Sequence, residues 1–152
     1  MVGKGSVFAV AMLAAFVAAP ALSADYVTNS AEIVKKANWD KMEVIEIVMK
    51  EHSYAPEELK LKANQPYKFV LKNKGEKAHY WTAAEFFKSV ATRKVQSKDL
   101  EVKAPYFAAI EILPGGTAEM FVVPVVPGSY DVFCTIDDHR EKGMEGKIVV
   151  AQ

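Results

Sequence analysis

The segment Val132-Phe-Cys134-Thr-Ile-Asp-Asp-His139-Arg-Glu-Lys-Gly-Met144-Glu-Gly146 sets a thiolate, an imidazole and a thioether each five residues from the next. Side chains on one face of a helix recur every three or four residues, so this spacing does not describe a helix. A strand-like run, Gly128–Cys134, leads into the segment, and a second, Lys147–Val150, follows it. Gly143 and Gly146 mark the intervening chain as a loop. The stretch therefore reads as strand, loop, strand, with a loop able to fold back so that Cys134, His139 and Met144 face one point. Thiolate, imidazole and thioether are soft or borderline donors, a set that favours copper over magnesium or calcium.

Working outward, short runs rich in valine, isoleucine, phenylalanine and tyrosine recur from Glu43 onward. The expected strands are Glu43–Met49, Glu58–Leu61, Tyr67–Lys72, Phe107–Ile112, Ala118–Val123, Gly128–Cys134 and Lys147–Val150. Breaks fall at Asn64–Pro66, Asn73–Gly75, Pro114–Gly116 and Pro127–Gly128. Several short strands punctuated in this way predict an all-β sandwich of two sheets. Thr82-Ala-Ala-Glu85 has the form of a capping box, with Phe86, Phe87 and Val90 beyond it, which predicts a helix over Thr82–Val90 inserted between strands. Residues 91–106 are expected to hold a loop and an edge strand. Residues 25–42 read as a helical lead-in, with Asn29 and Glu32 spaced to start a helix.

A fourth ligand has to come from outside the loop. His79 follows the strand Tyr67–Lys72 and its turn, which puts it at a strand end where the 134–144 loop also lies. His52, beside Glu51, is the remaining histidine and is read as facing solvent at the end of the first strand; it is the next candidate if His79 lies elsewhere. Two imidazoles and a thiolate in a plane, with a weak axial thioether, describe a mononuclear site suited to both Cu(I) and Cu(II).

Composition agrees. The chain has 152 residues, 51% apolar and 25% charged, as expected of one globular domain. Lysine plus arginine and aspartate plus glutamate balance at 19 each, which leaves no field for holding nucleic acid. Lys4, the apolar run Val7–Ala19, and the small residues Ala21, Ser23 and Ala24 have the order of a secretory leader, so residues 1–24 are expected to be a cleaved signal peptide and the mature protein periplasmic. The run is short for a membrane span, and no second one follows. An exported chain with a single cysteine carries an oxidisable thiol, and a bound metal would occupy it.

The loop Phe133-Cys-Thr-Ile-Asp-Asp-His139-Arg-Glu-Lys-Gly-Met144 resembles the copper loop of the cupredoxins, with spacing similar to the rusticyanin and auracyanin branch. Tyr54-Ala-Pro56-Glu-Glu-Leu59 and Leu71-Lys-Asn73-Lys-Gly75, leading to His79, look like the first half of the same fold, so the resemblance runs from about Glu43 to Val150. It implies a Greek-key β-sandwich over residues 43–152, one type 1 copper held by His79, Cys134, His139 and Met144, and one-electron transfer between redox proteins. Three features depart from the family pattern. Asp137 and Asp138 replace a Pro-Gly pair before the loop histidine, and their charges would favour Cu(II) unless solvent screens them. Tyr80 stands where azurins and plastocyanins have asparagine, so Thr135 is expected to lack its usual partner. The inserted helix is longer than the simplest members need.

The expected function is therefore that of a periplasmic electron carrier, monomeric, with weak and transient redox partners, the His139 ring serving as the exit for the electron. The alternative is a protein that binds copper for delivery to another system. An enzyme is not expected. Four protein ligands leave no open coordination position, one cysteine excludes a binuclear thiolate-bridged centre, and no nucleophile–base arrangement is evident.

Overall fold

The protein is described by a computed structural model over residues 25–152; the expected signal peptide, residues 1–24, lies outside the described residues. The described residues hold eleven strands: β1 Glu43–Lys50, β2 Ser53–Ala55, β3 Glu58–Lys62, β4 Tyr67–Asn73, β5 His79–Thr82, β6 Val90–Gln96, β7 Glu101–Val102, β8 Ala109–Ile112, β9 Thr117–Pro124, β10 Gly128–Phe133 and β11 Glu145–Ala151. They form a six-stranded sheet in the order β2-β1-β4-β9-β6-β7 and a five-stranded sheet in the order β3-β11-β10-β5-β8. Two pairings are parallel, β1 with β4 and β3 with β11; the rest are antiparallel. This is the β-sandwich expected from the strand pattern.

Alternation drives the packing. In β4 the residues Tyr67, Phe69, Leu71 and Asn73 are buried while their neighbours are half-buried, as strand geometry requires of a sheet with one face in the core. Leu59 and Leu61 of β3, and Ile148 and Val150 of β11, meet them from the other sheet in one apolar cluster. Phe69, Trp81, Phe86 and Phe87 lie at its centre, their ring centroids 5.7–6.2 Å apart. These edge-to-face and offset contacts fix ring positions beyond what area burial does.

Strand β9 is buried on both faces over its second half. The N-terminal segment explains this. Helix α1 (Ser30–Lys36) and the turn at Trp39–Lys41 lie across the outer face of the six-stranded sheet, where the Trp39 ring meets Phe121 at 6.3 Å and Arg93 covers its other side at 4.8 Å.

Three local expectations change. The inserted helix α2 spans only Ala84–Lys88, because Thr82 completes β5 and Val90 opens β6. Thr82 does not cap it; the cap position is Ala83, which offers no side-chain oxygen. Within residues 91–106 the edge strand is the short β7, but β6 lies inside the sheet, paired with β9 through a bulge at Thr92–Lys94.

Candidate metal centre

Three of the four candidate donors, His79, Cys134 and Met144, owe their places to strand ends, and His139 to the loop between two of them. His79 is the first residue of β5 rather than a loop residue, and it is completely buried. Cys134 directly follows β10, and Met144 directly precedes β11. The two strands form a hairpin whose last pair, Phe133 and Glu145, brings the loop ends together, so that Cys134 N–H donates to the Met144 carbonyl at 3.0 Å. The loop between is tied internally. His139 N–H donates to Ile136 O at 3.0 Å, and Met144 N–H donates to His139 O at 2.8 Å. Gly143 has φ +100°, a conformation that side chains with a Cβ rarely adopt. Arg140 pins the outside of the loop by stacking on Phe133 at 3.9 Å and pairing with Glu145 at 3.1 Å.

The result is a compact donor cluster. His79, Cys134 and His139 each place one ligand atom within 4.8 Å of the others, and all three residues are buried. The Cys134 sulfur lies 3.6 Å from Nδ1 of His139. Met144 is fully buried and shares the core cluster with Cys134.

The residues fit a metal on evidence internal to the fold. Both ring nitrogens of His79 are buried without a hydrogen-bond partner. A buried polar atom left so is costly unless something binds it. Burial, and then the neighbouring His139, hold the His79 imidazole below its usual range and so keep it neutral, the form that ligates a metal. The lone cysteine is also buried here, and Tyr80 N–H points at its sulfur from 3.5 Å, a geometry that steadies a thiolate.

The surroundings correct several expectations. Thr135 lacks a partner at position 80, as expected, and has the Thr82 hydroxyl 3.5 Å from its own instead. The charge of Asp138 is offset by Lys142 at 2.9 Å, while Asp137, exposed and at φ +44°, bears its carboxylate on the outside of the loop. His139 is only 1% exposed and does not reach solvent. His52 covers it, its ring edge-on at 5.2 Å, and is itself half-buried. His52 is thus neither a free surface residue nor one of the three clustered donors.

Two contributors were not legible as such. Asn73, read as part of a turn, is buried; its amide donates to Lys77 O at 2.7 Å and Ile112 O at 2.8 Å and its oxygen accepts from Gly75 N–H, fixing the loop that delivers His79. Glu51, named only as the neighbour of His52, accepts from Glu76 N–H at 2.6 Å and Lys77 N–H at 3.1 Å and lies 3.6 Å from His79 Nε2. Backbone N–H groups, its own first and then those of Lys77 and Glu76, hold its carboxyl down at about 2.

Residues 7–150 match the family model described as Cupredoxin-like domain. The chain belongs to the cupredoxin family. No curated protein matches it by sequence. Among solved structures the cupredoxin is similar to auracyanin from Roseiflexus castenholzii (21% identity, TM-score 0.50, covering 72% of this chain and 97% of that one) and to auracyanin B (17% identity, TM-score 0.54, covering 76% and 94%). It is also similar to a multicopper oxidase from Pseudomonas thermotolerans (20% identity, TM-score 0.60, covering 76% and 31%). The chain spans about a third of the length of the multicopper oxidases it resembles, 31% for the one from Campylobacter jejuni. At these identities the likeness is one of fold. Family and donor set together make the cofactor one copper ion per chain. Two imidazoles and a thiolate are the donor set of copper electron-transfer sites.

Proposed function

We propose that this cupredoxin is a periplasmic carrier of single electrons, its copper held by His79, Cys134 and His139 with Met144 as the weak axial ligand. The observation that carries the proposal is the burial of all three clustered donors in a strand-anchored site. The bound copper would supply the one-electron couple; the chain's part is to keep the donors fixed. Cys134 and Met144 are tied by the hairpin, His139 by its loop and His79 by β5, so little needs to rearrange between the two oxidation states. Fixed donors favour fast exchange over metal release.

The same burial opposes an enzyme. A reacting molecule needs an open coordination position and access to it. Two pockets of about 630 and 570 Å³, the first beside the N-terminal segment and lined by Tyr26, Val34, Thr92 and Arg93 among others, share no residue with the donor cluster. Exchange with partners is placed in this reading at the His52 end of the site, where a half-buried ring stands against the buried ring of His139. Partners would be other redox proteins, met in brief encounters by a monomer.

The test is voltammetry on the copper-loaded mature protein, with a moderate chelator added afterwards. A reversible one-electron wave, an intense visible band and retained copper are expected. Copper passing readily to an apo-acceptor, with irreversible cycling, would replace the carrier with a delivery protein.

A further inference from the structure

The turn between β1 and β2, residues 51 and 52, belongs to neither donor segment but reaches the cluster from a third side. One oxygen of Glu51 gathers the N–H groups of Glu76 and Lys77 and faces the Nε2 edge of His79. Gly75 confirms how tightly this corner is filled. A Cβ placed there would collide with that same Glu51 oxygen and stand 2.8 Å from His79 Nε2. Gly75 itself has no left-handed φ to explain it; the space is simply taken by the carboxylate and the imidazole.

We propose that Glu51 is a positioning residue of the copper site, whose carboxylate accepts the Nε2–H of His79 and so turns Nδ1 of that ring toward Cys134 and His139. The proposal rests on His79 being a copper ligand. A metal-bound imidazole ordinarily gives its second N–H to an acceptor that fixes its tautomer and raises its basicity, and a carboxylate is the strongest such acceptor available. Among the described residues His79 has no other: neither ring nitrogen has a hydrogen-bond partner there, and Glu51 at 3.6 Å is its paired carboxylate. A closure of a few tenths of an ångström makes that contact a hydrogen bond. The negative charge on Glu51 also reaches the metal through the ring, favouring Cu(II) over Cu(I).

Three variants of the full mature chain test this: Glu51→Ala, Glu51→Gln and Gly75→Ala, each loaded with Cu(II). Copper affinity is measured by chelator competition, reduction potential by voltammetry, and thermal unfolding alongside. Glu51→Ala should lower copper affinity by about 10- to 100-fold and raise the potential, with the thiolate band kept. Glu51→Gln retains an acceptor oxygen and should recover most of the affinity while the potential stays high. Gly75→Ala, which displaces the carboxylate with Glu51 still present, should move affinity and potential in the same direction as Glu51→Ala. Affinity and potential unchanged in both Glu51→Ala and Gly75→Ala, whether or not their unfolding temperature falls, would overturn the proposal and leave Glu51 a loop anchor. If the wild-type protein showed no thiolate–copper band, the copper assignment would fall first, and Glu51 with it.

Discussion

The His52 ring stands edge-on to the His139 ring, 87° between planes and 5.2 Å between centroids, and closes the surface over it. His52 holds this position from a left-handed turn, φ +64°, between β1 and β2. An electron leaving by His139 therefore meets an imidazole before it meets solvent. Exchange between copper-loaded molecules should slow several-fold in His52→Leu, which keeps the cover but removes the ring, and should survive in His52→Phe. The check is the self-exchange rate from NMR line broadening. Equal rates in all three proteins would show that His52 is only a lid.

Cys134 is the single cysteine of the chain and the donor that would make the strong, coloured bond to copper. Replacing it with serine should abolish the intense visible band and weaken copper binding. The fold should persist, since the change is small and the core around it is large. Absorption and circular dichroism of the Cys134→Ser protein decide the matter; a retained band would remove Cys134 from the metal.

Met144 is fully buried and held at both backbone ends by Cys134 and His139. Met144→Leu conserves volume, so it should cost less than about 1.5 kcal/mol in stability. Without the axial thioether, the potential should rise while the copper stays. Denaturant unfolding and voltammetry on one sample separate the two effects. A potential that does not move would make Met144 core packing alone.

Glu119 in β9 joins three strands, pairing with Lys68 of β4 at 3.0 Å and accepting from Gln96 of β6 at 2.6 Å. These partners, Lys68 first, hold its carboxyl below the usual range. A carboxylate depressed in the folded state stabilises above its unfolded value, about 4.3, and loses that contribution as pH falls through the folded value. The pair is partly exposed, so Glu119→Gln should cost no more than about 1 kcal/mol at neutral pH. The variant should also lose less stability than the wild type between pH 5 and 3 on chemical denaturation, about one pH unit being enough to show it. Parallel curves would mean that the pairing adds nothing.

Much of this was legible in the sequence. Tyr67–Lys72 and Ala118–Val123 announce themselves because alternation or continuous apolarity survives in the letters, and the structure has strands there. The Cys134–His139–Met144 loop is local, so its spacing alone nearly describes it. What was hidden depended on distant chain. β5 begins at His79 and contains only four residues, too few for a period to show. Thr82 and Glu85 satisfy the pattern of a helix cap, yet Thr82 pairs with Phe133 in the sheet, and tertiary pairing overrides the local signal. Glu51 and His52 look like a polar turn because nothing in their neighbourhood of the sequence reveals that β1 and β4 run parallel, which carries the turn to the level of His79.

The last strand has a consequence for timing. β11 runs parallel to β3, Ala151 opposite Lys62, and its neighbour in the hairpin is the strand that leads into Cys134. A chain emerging from a ribosome or a translocation pore, amino end first, has His79 long before it has this strand. The thiol follows only shortly before this strand and stays open to solvent and oxidants until β11 has docked, and the donors cannot converge earlier. Loading of the full donor set then waits for the last strand, and a chain cut between Cys134 and β11 would be recognisable by an accessible cysteine that the complete one conceals.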